Sequence, residues 1–142
     1  MTSKRSKARE QAVQALYQWQ LTGQNLDEID AQFLEEPDAL KIDVPYFKLL
    51  LHEVPKHLGT LDEQLREFLD RAIENVDPVE RAVLRLGAYE LIYRPEVPYR
   101  VVINEAVELA KTFGSEQGHR YVNGVLDKLA QKVRSVEASV SR

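Results

Sequence analysis

The feature that most constrains this chain is the stretch from Asp77 to Arg94, DPVERAVLRLGAYELIYR. It opens with three helix-start signals: Asp77 as N-cap, Pro78 at the first helical position and Glu80 three residues after the cap. Aspartate accepts an orphan backbone N–H, proline loses nothing there, and glutamate at that spacing can reach back to the cap. Between Val79 and Tyr93 only Glu80, Arg81, Arg85 and Glu90 are charged. At about 100° per residue these four do not gather into one polar stripe, so apolar side chains are interleaved all round. Such a helix needs cover on most sides, and the spacing predicts a central core helix. Gly87 in its middle costs about 1 kcal/mol against alanine, which points to the close approach of another helix. Pro95 and Pro98 stop it.

The remaining segments read as amphipathic helices. From Arg5, the positions Ala8, Ala12, Ala15, Leu16 and Trp19 recur at helical spacing, and Thr22-Gly23-Gln24-Asn25 forms a turn. Asn25 with Glu28 caps a short helix carrying Leu26, Ile29, Phe33 and Leu34, and Glu36-Pro37 ends it. A third helix starts at Asp43-Val44-Pro45 and should kink or end near Val54, because Pro55 removes a hydrogen bond. Gly59-Thr60 reads as a stop and a fresh cap for a fourth helix burying Leu61, Leu65, Phe68, Leu69 and Ala72. Ile103, Ala106, Val107, Ala110 and Phe113 make a further stripe, closed by Gly114. Ser115 can then cap a last helix that buries Val122, Val125, Leu126, Leu129, Ala130 and Val133, with Gly124 at another close approach. No segment alternates with period two over a strand length. The fold class expected is all-α.

Composition excludes several chemistries. With no cysteine among 142 residues, disulfides, thiolate metal sites and thiol catalysis are all ruled out, which suits a reducing cytoplasm. No apolar run approaches membrane-spanning length, and TSKRSKARE lacks the apolar segment of a signal peptide. His52 and His57 are five residues apart, about 140° around a helix, so they cannot face one zinc ion together. No motif calls for a cofactor.

Charge is unevenly spread. The net charge is −4, yet the first nine residues carry Lys4, Arg5, Lys7 and Arg9 and no acid. Asp27 to Asp43 holds seven acids and one base. A basic arm on an acidic body fits either an anion-binding element, for RNA above all, or a solvated, frayed terminus.

Three motifs together carry a resemblance: AREQAVQALYQWQ, VERAVLRLGAYEL and VPYRVVINEAVELAKTFG followed by HRYVNGVLDK. In this order, and nearly end to end, they resemble the NusB family of bacterial transcription antitermination factors. The resemblance implies about seven helices in two packed bundles around the central helix, N-terminal (about 5–58) and C-terminal (about 60–134). These would form one domain over 1–136, with 137–142 a disordered tail. It also implies a non-enzymatic role: binding the boxA element of nascent ribosomal transcripts with the ribosomal protein NusE, and joining RNA polymerase and other Nus factors.

By the same resemblance, the RNA-binding residues are Lys4, Arg5, Lys7 and Arg9 on the arm and Glu116, Gln117, His119, Arg120 and Tyr121 at the start of the last helix. Gln117 stands where other family members can carry an acid. The residue chemistry agrees, since single-stranded RNA is held by phosphate contacts and by bases stacked on aromatic faces. Tyr121 also fits a half-buried packing residue, and His119 a solvent-facing one. Glu80 and Arg81 are the expected NusE contacts, with helix capping as their alternative. Two other classes fit the same residues: an RNA-targeting accessory domain of the kind fused to ribosomal-RNA cytosine methyltransferases, and a helical adaptor that binds protein only.

Overall fold

The computed structural model describes residues 3–140 apart from Glu36 and Asp38. Among the described residues there are eight α-helices, two 310 turns and no strand. The chain falls into two compact units, the first ending at Lys56 and the second beginning at His57.

The first unit consists of α1 (Lys4–Thr22), α2 (Leu26–Leu34), a 310 turn (Ala39–Lys41) and α3 (Val44–Lys56). α1 ends at Gly23, whose φ of 66° is the left-handed conformation that glycine adopts without strain, and whose N–H meets the Trp19 carbonyl. Asn25 caps α2 as the sequence suggests, accepting from the Asp27 and Glu28 N–H groups. Leu34 is the last residue of α2, so the helix stops before Pro37; Glu36 itself lies outside the described residues. α1 packs on α2 and α3, with Ala8, Ala12, Val13 and Leu16 of α1 and Ile29, Phe47, Leu50 and Leu51 of its neighbours all buried.

α3 ends at Lys56, one residue after Pro55 and close to the stop expected near Val54, as fits a residue that has no N–H for the Leu51 carbonyl. His52 bonds Asp30 at 2.8 Å within this unit, whereas His57 belongs to the second.

The second unit consists of α4 (Leu58–Arg66), a 310 turn (Ile73–Asn75), α5 (Pro78–Tyr93), α6 (Tyr99–Phe113), α7 (Gly118–Val133) and α8 (Ser135–Val140). α5 is its hub, packing against α4, α6 and α7, and every residue from Ala82 to Leu91 is buried. Gly87 serves the close approach expected of it. A Cβ there would stand 2.6 Å from Leu126 Cδ1 on α7. The buried Arg85 is matched by a fork to Asp62 of α4, at 2.9 and 2.8 Å. Arg134 closes the other end of α5. Its guanidinium donates to the carbonyls of Glu90, Leu91, Arg94 and Val97 and to Glu137, filling acceptors that a helix end leaves open.

Four local expectations are corrected here. Gly59 and Thr60 lie inside the first turn of α4, whose N-cap is His57. α4 ends at Arg66, so Phe68 and Leu69 are only half-buried and Ala72 is exposed. Gly124 faces open space and admits no neighbouring helix. The tail expected to be disordered from 137 is helical to Val140, with 141–142 outside the described residues. Glu137 accepts the Tyr99 N–H at 2.9 Å, and that bond, with Arg134 beside it, holds its carboxyl below the usual range.

Candidate nucleic-acid interface

The basic segment is not a frayed arm over the described residues. Ser3 caps α1 by accepting the Ser6 N–H at 3.0 Å, so Lys4 onward is helical. The start of α3 holds it down. Asp43 Oδ1 accepts the Tyr46 N–H, the Asp43 N–H donates to the Lys4 carbonyl, and the Asp43 carboxylate lies 3.8 Å from Arg5 Nε. The Arg5 guanidinium lies over the Tyr46 ring at 4.1 Å.

No acid occupies the first turn of α1. Cations at that end oppose the helix dipole, so this sequence holds repelling charge at a helix start where an anion would relieve it. Lys4 is exposed, and Arg5 and Lys7 are half-exposed. Arg9 departs from expectation. It is 2% exposed, with its guanidinium 5.4 Å from the Tyr46 ring, so it braces α1 against α3 and its charge does not reach the surface.

The second patch lies at the start of α7. Gln117 is its N-cap and offers no side-chain bond, while Gly118 is buried. Ser115 does not cap the helix. Its hydroxyl donates instead to Glu80 Oε2 at 3.3 Å, and a Cβ at Gly118 would stand 2.6 Å from the same carboxyl group. Glu80 therefore pins the α6–α7 connection, and the capping box expected at Asp77 is replaced by a longer-range contact. Asp77 itself caps α5 as expected, accepting from Val79 and Glu80. Burial, with Asp77 nearby, raises the Glu80 carboxyl above its ordinary value. At 7% exposure and bonded by Ser115, Glu80 has little surface to offer the partner expected to contact it; Arg81 beside it is half-buried.

Glu116, Gln117 and Arg120 are exposed and His119 is half-buried. Tyr121 is half-buried, and its hydroxyl accepts the Asp70 N–H at 3.3 Å. Arg71 lies over the Tyr121 ring, 4.9 Å from its centre, and grips Asp70 through two bonds of 2.6 and 2.9 Å. The bonded Arg71 guanidinium holds the Asp70 carboxyl down at about 2. The connection between α4 and α5 thus carries a cation onto the α7 patch. Motif reading could not place it, because Asp70-Arg71 is a neutral pair some fifty residues from Tyr121 in sequence. Tyr17 and Leu21 stand one turn apart on α1, exposed at 37% and 54%.

A family model described as the NusB family matches residues 6–131. The chain belongs to the NusB family. It is 62% identical over 137 residues to the transcription antitermination protein NusB of Nitrosococcus oceani, covering 96% of this chain and 92% of that one. It is 57% identical to the namesake protein of Alcanivorax borkumensis, covering 99% and 93%. The fold is that of solved NusB structures. One is the NusB of a crystal structure of the antitermination factors NusB and NusE in complex with dsRNA, with a TM-score of 0.81, 31% identity and coverage of 93% and 99%. Another is the solution structure of NusB from Aquifex aeolicus, with a TM-score of 0.80, 30% identity and coverage of 95% and 93%. Both patches apart from Lys4 and Arg5 lie within the residues that the family model matches.

Proposed function

We propose that this chain is a non-enzymatic antitermination factor of the cytoplasm. It binds single-stranded boxA RNA of nascent ribosomal transcripts together with NusE, and the pair then joins RNA polymerase and the other Nus factors. The observation that carries the RNA reading is the acid-free first turn of α1, with Lys4, Arg5 and Lys7 held in place on a chain of net charge −4. Charge so placed at the positive end of a helix makes sense if a polyanion completes it. Tyr121 and Arg120 supply the aromatic face and the cation of a second contact, with Glu116, Gln117 and His119 around them. Membership of a family whose curated relatives are antitermination proteins supports the rest of the reading. Among the described residues no helix is long and apolar enough to cross a membrane.

Arg81, half-buried at the start of α5, is the proposed NusE contact. The deciding experiment is a gel shift with single-stranded boxA RNA, a scrambled strand and the boxA duplex, each with and without NusE. Preference for the single boxA strand, strengthened by NusE and lost at high salt, is the expected result. Equal binding of duplex and scrambled strand would reduce the role to charge alone. NusE binding with no RNA binding would make the chain a protein adaptor.

A further inference from the structure

Arg71 lies over the ring of the candidate base-reading Tyr121, and its motif context gave it no role. Its Nε and Nη2 edge is occupied by the two Asp70 carboxylate oxygens, at 2.6 and 2.9 Å. Both residues are exposed. A planar guanidinium fork accepts a carboxylate or a phosphate in the same bidentate geometry, so the two anions compete for one edge. Exposed ion pairs are weak, which makes the exchange easy when a phosphate is delivered nearby. The Asp70 backbone N–H meanwhile bonds the Tyr121 hydroxyl, so the Asp70-Arg71 turn is tethered to the ring on which RNA would arrive.

We propose that Arg71 is a further RNA-phosphate contact of the α7 patch, and that Asp70 restrains it until RNA phosphate displaces the carboxylate from the guanidinium fork. The inference rests on the RNA-binding role argued above. The Asp70 carboxyl, held at about 2, stays ionised throughout the neutral range and so remains a partner for the guanidinium.

The test is a series of salt titrations by fluorescence anisotropy, using the full chain and labelled single-stranded boxA RNA, on Arg71→Ala, Asp70→Asn, the double variant and Tyr121→Ala. Arg71→Ala should weaken binding and lower the salt slope by about 0.7, the loss of one phosphate contact. Arg71→Lys, which keeps the charge without the fork, should retain the slope. Asp70→Asn keeps the backbone tether and should tighten binding about two- to fivefold. That gain should vanish when Arg71 is already alanine. A gain of the same size in both backgrounds would show that Asp70 acts only as a general repelling charge, and would overturn the exchange. So would unchanged affinity and slope in Arg71→Ala while Tyr121→Ala binds poorly. If Tyr121→Ala and neutralised Lys4 and Lys7 all bind as the parent does, the RNA reading itself fails.

Discussion

The starts of α1 and α7, the two proposed RNA contacts, are built in different ways. α1 has a working cap, no acid in its first turn, an exposed Lys4, and half-exposed Arg5 and Lys7. α7 has no side-chain cap at Gln117 and a buried glycine at its first position. It is held from outside, by Glu80 through Ser115 and by the Asp70-Arg71 turn on Tyr121. The first offers charge, which attracts any phosphate chain. The second offers a fixed ring and a restrained guanidinium, whose value depends on geometry. Attraction can therefore be built from local sequence, whereas discrimination needs distant segments to converge.

The start of α7 rests on α5, and the largest effect expected lies in that packing. Leu86→Ala, in the buried run of α5, should cost about 2–5 kcal/mol in chemical denaturation. An effect near zero would place that face of α5 on the surface. Replacing Lys4, Arg5 and Lys7 together should remove about 2 from the salt slope, roughly a hundredfold in affinity per decade of salt, with the circular dichroism spectrum unchanged. Unchanged affinity would leave α1 a solvated helix end and dissolve the contrast. Tyr121→Ala should lose about 1–3 kcal/mol of RNA binding with little change of slope. If it instead melts several degrees lower yet binds normally, the Asp70 tether is its whole role. Arg9→Gln should lower the melting temperature and spare the slope, unlike its neighbours, because its cation lies against Tyr46.

The smallest effect is on pH. The Glu80 carboxyl is raised, so its charged form is the less favoured one in the fold and stability relative to a neutral side chain falls as pH rises through its folded value. Glu80→Gln, which retains an acceptor for Ser115, should melt slightly higher than the parent at neutral pH. The difference should disappear once both are compared in acid. A lower melting point at neutral pH would mean the carboxylate charge itself holds the α6–α7 connection.

What was legible follows the same division. The Asp77 and Asn25 caps, the Gly23 and Gly114 helix ends and the Gly87–Leu126 approach all come from signals within a turn or two, or from one helix's own periodicity. The basic cluster was visible because like charges in a row need no partner to be noticed. Glu80 was assigned to the nearest cap because Ser115 and Gly118, its actual partners, come from thirty-five or more residues away. Arg9 looked like its neighbours until Tyr46 closed over it. Arg134 carried no signal at all, since capping carbonyls on another helix requires the fold to exist first. Gly59 misled in the opposite sense, as a breaker absorbed in the first turn of α4.

The claim at the centre of this account is that charge and geometry are divided between the two helix starts. The most direct test is one salt titration of boxA and scrambled single-stranded RNA on three proteins: the parent, the Lys4/Arg5/Lys7 neutralised variant and Tyr121→Ala. The account predicts that neutralising α1 lowers the slope for both RNAs and leaves their affinity ratio intact, while Tyr121→Ala leaves the slope and collapses the ratio. Both variants lowering slope and ratio together would contradict it.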